Sequence, residues 1–136
     1  MLDSSRTVTT RLMLTVSAAT GDARLEAELR YDLSDPLAVS LAIGTQCDEP
    51  VVWVFARDLL AAGIAGPSGE GDITIEPAVA DGEQEIRITL ATDCLATLLA
   101  PRGRVAEFLI ETFTRVPSGS EFDAVDFDAE IAALLA

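Results

Sequence analysis

The sequence predicts an α+β fold: two packed antiparallel β-sheets with helices, ordered strands, helix, strands, helix, helix. Three observations lead there. The hydrophobic pattern has period two in two separate stretches. Each stretch then gives way to a segment with helical spacing. Turn residues fall between neighbouring strands, so consecutive strands connect as antiparallel neighbours. The 136 residues, 49 % of them hydrophobic, suit a single domain over 1–136, with 1–7 expected as a loosely ordered N-terminus.

The first strand places Val8, Thr10, Leu12, Leu14 and Val16 on one face and Thr9, Arg11, Met13, Thr15 and Ser17 on the other. A turn follows at Ala19–Asp22. In the second strand Leu25, Ala27, Leu29 and Tyr31 oppose Arg24, Glu26, Glu28 and Arg30. Ser34-Asp-Pro36 breaks the chain, because proline fixes its own φ and restricts the residue before it. A third strand carries Leu37, Val39, Leu41 and Ile43. The fourth, Val51 to about Val54, is apolar throughout and is expected to be central or covered on both faces.

The period then changes. Phe55–Gly63 reads as a short helix with Phe55, Leu59 and Leu60 on one side and Gly63 as its stop. Gly66–Gly71 reads as a loop. Strands resume with Ile73 and Ile75 and, after an Asp81-Gly82 turn, with Ile86, Ile88 and Leu90. Residues 94–100 fit strand or helix, with strand favoured. Pro101 opens a helix whose Val105, Phe108, Leu109, Thr112, Phe113 and Val116 form one stripe. Pro117-Ser-Gly119 ends it. A last helix is expected from Asp126, with Phe127, Ile131, Leu134 and Leu135 as its apolar side.

Composition excludes several chemistries. All nine basic residues are arginines, and there is no histidine or lysine. Ser-His-Asp and Cys-His catalysis, histidine metal sites, Schiff bases and the P-loop lysine are therefore absent. Cys47 and Cys94 are too few for a disulfide framework and too far apart in sequence for a zinc motif; they read as buried small residues, with one bridge left open. Paired acids alone run glycoside hydrolysis, but one Trp and one Tyr make a poor carbohydrate cleft. Asp126, Asp128 and Glu130 resemble a calcium loop only superficially: Ile131 stands where the loop needs glycine. No catalytic, metal or cofactor site is expected.

The net charge of −14 repels phosphate backbones and anionic membrane surfaces. No secretory signal or membrane-spanning run is expected, which places the protein in the cytoplasm. Trp53 fits a core position or an aromatic anchor in a protein interface. Arg30-Tyr31-Asp32 and Arg57-Asp58 each put opposite charges close together. They fit local pairing at strand and helix ends, or polar contacts to a partner.

Two blocks carry a resemblance. Arg30-Tyr-Asp-Leu-Ser-Asp-Pro36 and Trp53-Val-Phe-Ala-Arg-Asp-Leu-Leu60, followed by Gly63–Ile73, Val116–Glu121 and Asp126–Asp128, resemble the SsgA-like sporulation and cell-division proteins of actinobacteria, closest to the SsgB branch. The resemblance spans about Leu12 to Leu135. It implies a non-enzymatic adaptor of sporulation-specific division that helps to recruit or position FtsZ at septum sites alongside other SsgA-like proteins. It implies a homotrimer with a fold similar to the Whirly single-stranded nucleic-acid-binding proteins. Nucleic-acid binding is the alternative function that such a fold suggests. Arg30, Tyr31, Asp32, Trp53, Phe55, Arg57 and Asp58 are the candidate motif or partner-contact positions.

Overall fold

The computed structural model describes residues 6–18, 21–45, 48–91 and 95–121. In chain order the elements are β1 (Thr7–Ala18), β2 (Gly21–Asp32), β3 (Ala38–Ile43), β4 (Val51–Ala56), α1 (Arg57–Ala65), β5 (Ser68–Glu70), β6 (Ile73–Ala80), β7 (Glu83–Ala91), β8 (Leu95–Pro101) and α2 (Arg102–Arg115). The expected alternation of strands and helices is therefore present as far as α2. The helix expected from Asp126, and both cysteines, lie outside the described residues. Order starts early: Arg6 C=O accepts a bond from Leu33 N–H, and Thr7 pairs with Asp32.

The strands do not form two separate sheets. They make one antiparallel sheet in the order β4-β3-β2-β1-β8-β7-β6-β5. The join is β1, twelve residues long. It pairs with β2 over its whole length and with β8 over Thr15↔Leu99 to Ala18↔Ala96. Period-two alternation reports which face is buried but not which strand lies alongside, so this join is invisible in the pattern.

One face of the sheet is the core. Leu12 and Leu14, Ala27, Leu29 and Tyr31, Val39 and Leu41, Ile73 and Ile75, Ile86 and Ile88, and Leu98 all bury their side chains there. The two helices add Leu59, Leu60, Val105, Phe108 and Leu109 to the same cluster. Each fully buried aliphatic side chain contributes about 1.5–3 kcal/mol. The opposite face carries the polar half of each alternation, including the ion pairs Arg87–Glu76 at 2.8 Å and Arg11–Glu26 at 3.7 Å.

Several local expectations change. Gly63 does not stop α1; it lies inside the helix and is buried against β6. A Cβ there would sit 2.2 Å from Ile75 Cγ2, so the glycine is what lets helix and strand approach. The helix ends at Gly66, whose N–H bonds to Ala62 C=O at 3.0 Å. Phe55 belongs to β4 rather than to the helix, and Pro101 closes β8 just before α2 begins. Part of the Gly66–Gly71 loop pairs as β5. The Asp81-Gly82 turn is as expected, with φ of 52° and 79°, both left-handed. The largest change is β4. It is an edge strand, not a covered one, and Val51, Val52 and Val54 are exposed. Its continuous hydrophobicity mimics a central strand, and no local signal separates the two.

Candidate functional site

The two sequence blocks meet in space at one buried arginine. The first block ends β2 and turns. Asp32 carboxylate accepts bonds from Ser34 N–H at 2.9 Å and Ser34 O–H at 2.7 Å, closing an Asx turn. Those two bonds, the hydroxyl's first, hold the Asp32 carboxyl below its ordinary value. Tyr31 O–H donates to Pro36 C=O at 3.0 Å across the same turn. Burial pushes the Tyr31 phenol above its ordinary value, partly opposed by the nearby Arg57 cation. Arg57 N–H then donates to Leu37 C=O at 2.8 Å, docking the turn onto the start of α1.

Arg57 is the first residue of α1, and its side chain is 1 % exposed. Its guanidinium Nη1 donates to Thr112 C=O at 3.2 Å and Val116 C=O at 2.7 Å. These lie at the C-terminal end of α2, where the macrodipole favours a cation; Thr112 C=O also accepts from Val116 N–H at 2.8 Å. Nη2 donates to Glu121 Oε2 at 3.0 Å, and Glu121 Oε1 accepts from Gly119 N–H at 2.9 Å. The cation also lies over two rings, 4.0 Å from the Phe113 centroid and 5.1 Å from that of Tyr31. The carboxyl of Glu121 is held below its ordinary value by its own backbone N–H, by Arg57 and by Gly119 N–H, against the effect of desolvation.

The candidate residues therefore separate. Tyr31, Phe55 and Arg57 are buried, and Tyr31 and Arg57 touch. Arg30 and Asp58 are exposed, and Asp32 and Trp53 are partly covered. The sequence neighbours Arg57 and Asp58 point apart; the acid that meets Arg57 is Glu121, 64 residues on. Asp58 sits instead in the first turn of α1, where the helix dipole favours it. Sequence reasoning missed Glu121 as the partner. The one available signal was Arg57 set among the apolar Trp53, Val54, Phe55, Leu59 and Leu60, where a buried guanidinium needs an anion or carbonyls.

Among the described residues no group of three or more acids or cysteines is placed to hold a metal ion. An open cleft of about 570 Å³ lies between the end of α1, the β6–β7 hairpin and the start of α2. Ile64, Pro77, Val79, Gln84 and Arg102 line it, and Arg102 is the one ionisable side chain among the described residues there. No helix among the described residues is long and apolar enough to cross a membrane.

The fold and this arginine define a β-sheet protein braced between its helices, whose tyrosine and arginine blocks are structural parts of one junction. The chain belongs to the SsgA family, described as Streptomyces sporulation and cell division protein, whose pattern matches residues 25–121. That span contains the whole junction, from Tyr31 to Glu121. The chain is 40 % identical over 110 residues to the sporulation-specific cell division protein SsgB of Frankia casuarinae, covering 80 % of this chain and 77 % of that one. It is 41 % identical over 111 residues to the SsgB of Streptomyces coelicolor, covering 81 % of each. Its structure is similar to the crystal structure of an SsgA-like sporulation-specific cell division protein from Thermobifida fusca. That match has a TM-score of 0.84 at 37 % identity and covers 98 % of both chains.

Proposed function

We propose that this protein is a non-catalytic regulator of sporulation-specific cell division that helps to bring FtsZ to septum sites. In this reading it acts in the cytoplasm at the septum, as a homotrimer and together with other SsgA-like proteins. The observation that carries the reading is the identity of about 40 % to proteins named for sporulation-specific cell division, over four-fifths of the chain. A fluorescent fusion expressed in the source organism should form foci or ladders that coincide with FtsZ, and deletion should block sporulation septa. Diffuse signal together with normal septa on deletion would overturn the proposal.

Nucleic-acid binding has no comparable support. On the helix-free face of the sheet, Arg11 and Arg87 are held by Glu26, Glu28 and Glu76. Phosphate would have to displace those carboxylates from a protein already carrying −14.

A further inference from the structure

The two edges of the sheet are built differently. β5 is three residues long and contains Gly69 and Glu70. Short, charged edges resist pairing with another chain. β4 is Val-Val-Trp-Val-Phe-Ala, twice as long, without charge, proline or glycine. Val51, Val52 and Val54 are 56 %, 58 % and 61 % exposed. Among the described residues none of the usual devices that protect an edge acts on this strand, in a chain otherwise dense in acids.

The backbone of that edge can be oriented. Arg57 N–H bonds to Leu37 C=O. Facing residues in an antiparallel pair alternate between bonded and non-bonded pairs. Carried along the register, that alternation makes Phe55↔Val39, Trp53↔Leu41 and Val51↔Ile43 the bonded pairs. The N–H and C=O groups of Val52 and Val54 then face the edge that no described strand occupies. Their side chains lie on the helix-free face, level with Ala42 and Ser40 of β3. The same two residues thus offer free backbone groups and exposed β-branched side chains.

We propose that β4 is a self-pairing edge, at which two copies of this chain join antiparallel, β4 to β4, across a two-fold axis perpendicular to the sheet. Val52 of each copy lies opposite Val54 of the other, with Trp53 opposite Trp53 at the axis. Each Val52–Val54 pair exchanges both backbone bonds, and the two valines pack on one face. The register keeps core face with core face; a slip of one residue would set valines against the tryptophan side.

A second copy fits better than a foreign segment because the strand is its own complement. Its six positions carry no charge to oppose a like charge on the other copy, and its open backbone groups satisfy one another under the two-fold. Away from β4 each copy brings a charge of −14, so long-range repulsion opposes the union and salt relieves it. One strand pair buries little surface, so the association is weak and depends on concentration. The contact is isologous and closes at two. It is independent of the FtsZ reading, and a homotrimer would have to use another face.

Sedimentation equilibrium of the full chain tests this, over a hundredfold range of concentration, at about 50 mM and about 500 mM sodium chloride. The expected result is a monomer–dimer equilibrium (or trimer–hexamer, if the homotrimer forms) whose association constant rises at least threefold at the higher salt. Val54→Lys should lower it at least tenfold. Val54→Pro should do the same while circular dichroism and thermal midpoint stay near those of the parent, because the lost N–H faces the open edge. A single species at every concentration and salt overturns the proposal. So does a trimer, or any other assembly, that Val54→Lys leaves unchanged.

Discussion

Arg57 is the residue on which the two sequence blocks converge, and its substitution separates charge from shape. Arg57→Ala leaves Val116 C=O and the Glu121 carboxylate without the guanidinium, leaves Thr112 C=O with Val116 N–H alone, and empties a fully buried site. It should destabilise the fold by about 3 kcal/mol, read from urea unfolding. Arg57→Lys keeps the charge but loses the planar fork that reaches two carbonyls and a carboxylate at once, and should recover less than half of that loss. Glu121 links the junction to pH. Its folded value is lowered, so its contribution is present above the unfolded value and is lost as pH falls through the folded one. The stability gap between the parent and Glu121→Gln should therefore close in acid. Glu85 runs the other way. Desolvation first, and Glu83 second, raise its carboxyl, and its Oε2 has no hydrogen-bond partner among the described residues. A raised value means that ionisation costs stability as pH rises from the unfolded value through the folded one. Glu85→Gln should raise the thermal midpoint at pH 7 and leave it unchanged near pH 3. At this scale sequence named Tyr31 and Arg57 but misjudged their company. Proximity in sequence suggested Asp58, whereas burial selects partners by fold, and Glu121 is distant in sequence.

Among the elements, α1 shows how a single hydrogen atom sets a packing distance. Gly63→Ala would force Ile75 or the helix to move, since both Cβ and Cγ2 of Ile75 lie within 2.6 Å of the new carbon. The expected cost is about 2 kcal/mol in chemical denaturation, larger than any gain in helix propensity. A small or positive effect would mean that α1 slides easily over β6. The strands with one wet face were legible, because Leu25–Tyr31 and Ile86–Leu90 alternate and the structure buries Ala27, Leu29, Tyr31, Ile86, Ile88 and Leu90, with Leu25 partly buried. The α2 stripe was legible for the same reason, with Val105, Phe108, Leu109 and Thr112 all buried. β4 was not legible in its position. Uniform hydrophobicity looks the same whether a strand is covered by its own fold or left for another surface. β5 was missed because Ser-Gly-Glu has no strand preference of its own and is held by pairing with Ile73–Ile75.

On the scale of the whole molecule, eight strands among the described residues form one sheet, and α1 and α2 cover the same face. The alternation of β2 placed Arg24, Glu26, Glu28 and Arg30 opposite its apolar set, and they lie on the other face. The sequence pattern did not predict that β1 joins the two halves, since that depends on which strand takes up the second edge of β1. The junction at Arg57 closes the arrangement by tying the start of α1 to the end of α2. Family membership rests on sequence spanning this frame, from residue 25 to residue 121.

The shared strand has a consequence in time. Thr15 and Leu99 are neighbours in the sheet but lie roughly 80 residues apart along the chain. During synthesis the first four strands can pair among themselves, yet the far side of β1 waits with open backbone groups until β8 leaves the ribosome. At ordinary elongation rates of about 5–20 residues per second, that wait lasts seconds. Nascent chains halted before β8 should be captured by chaperones and cut readily by protease, and the protection should appear abruptly once residue 101 and α2 have emerged.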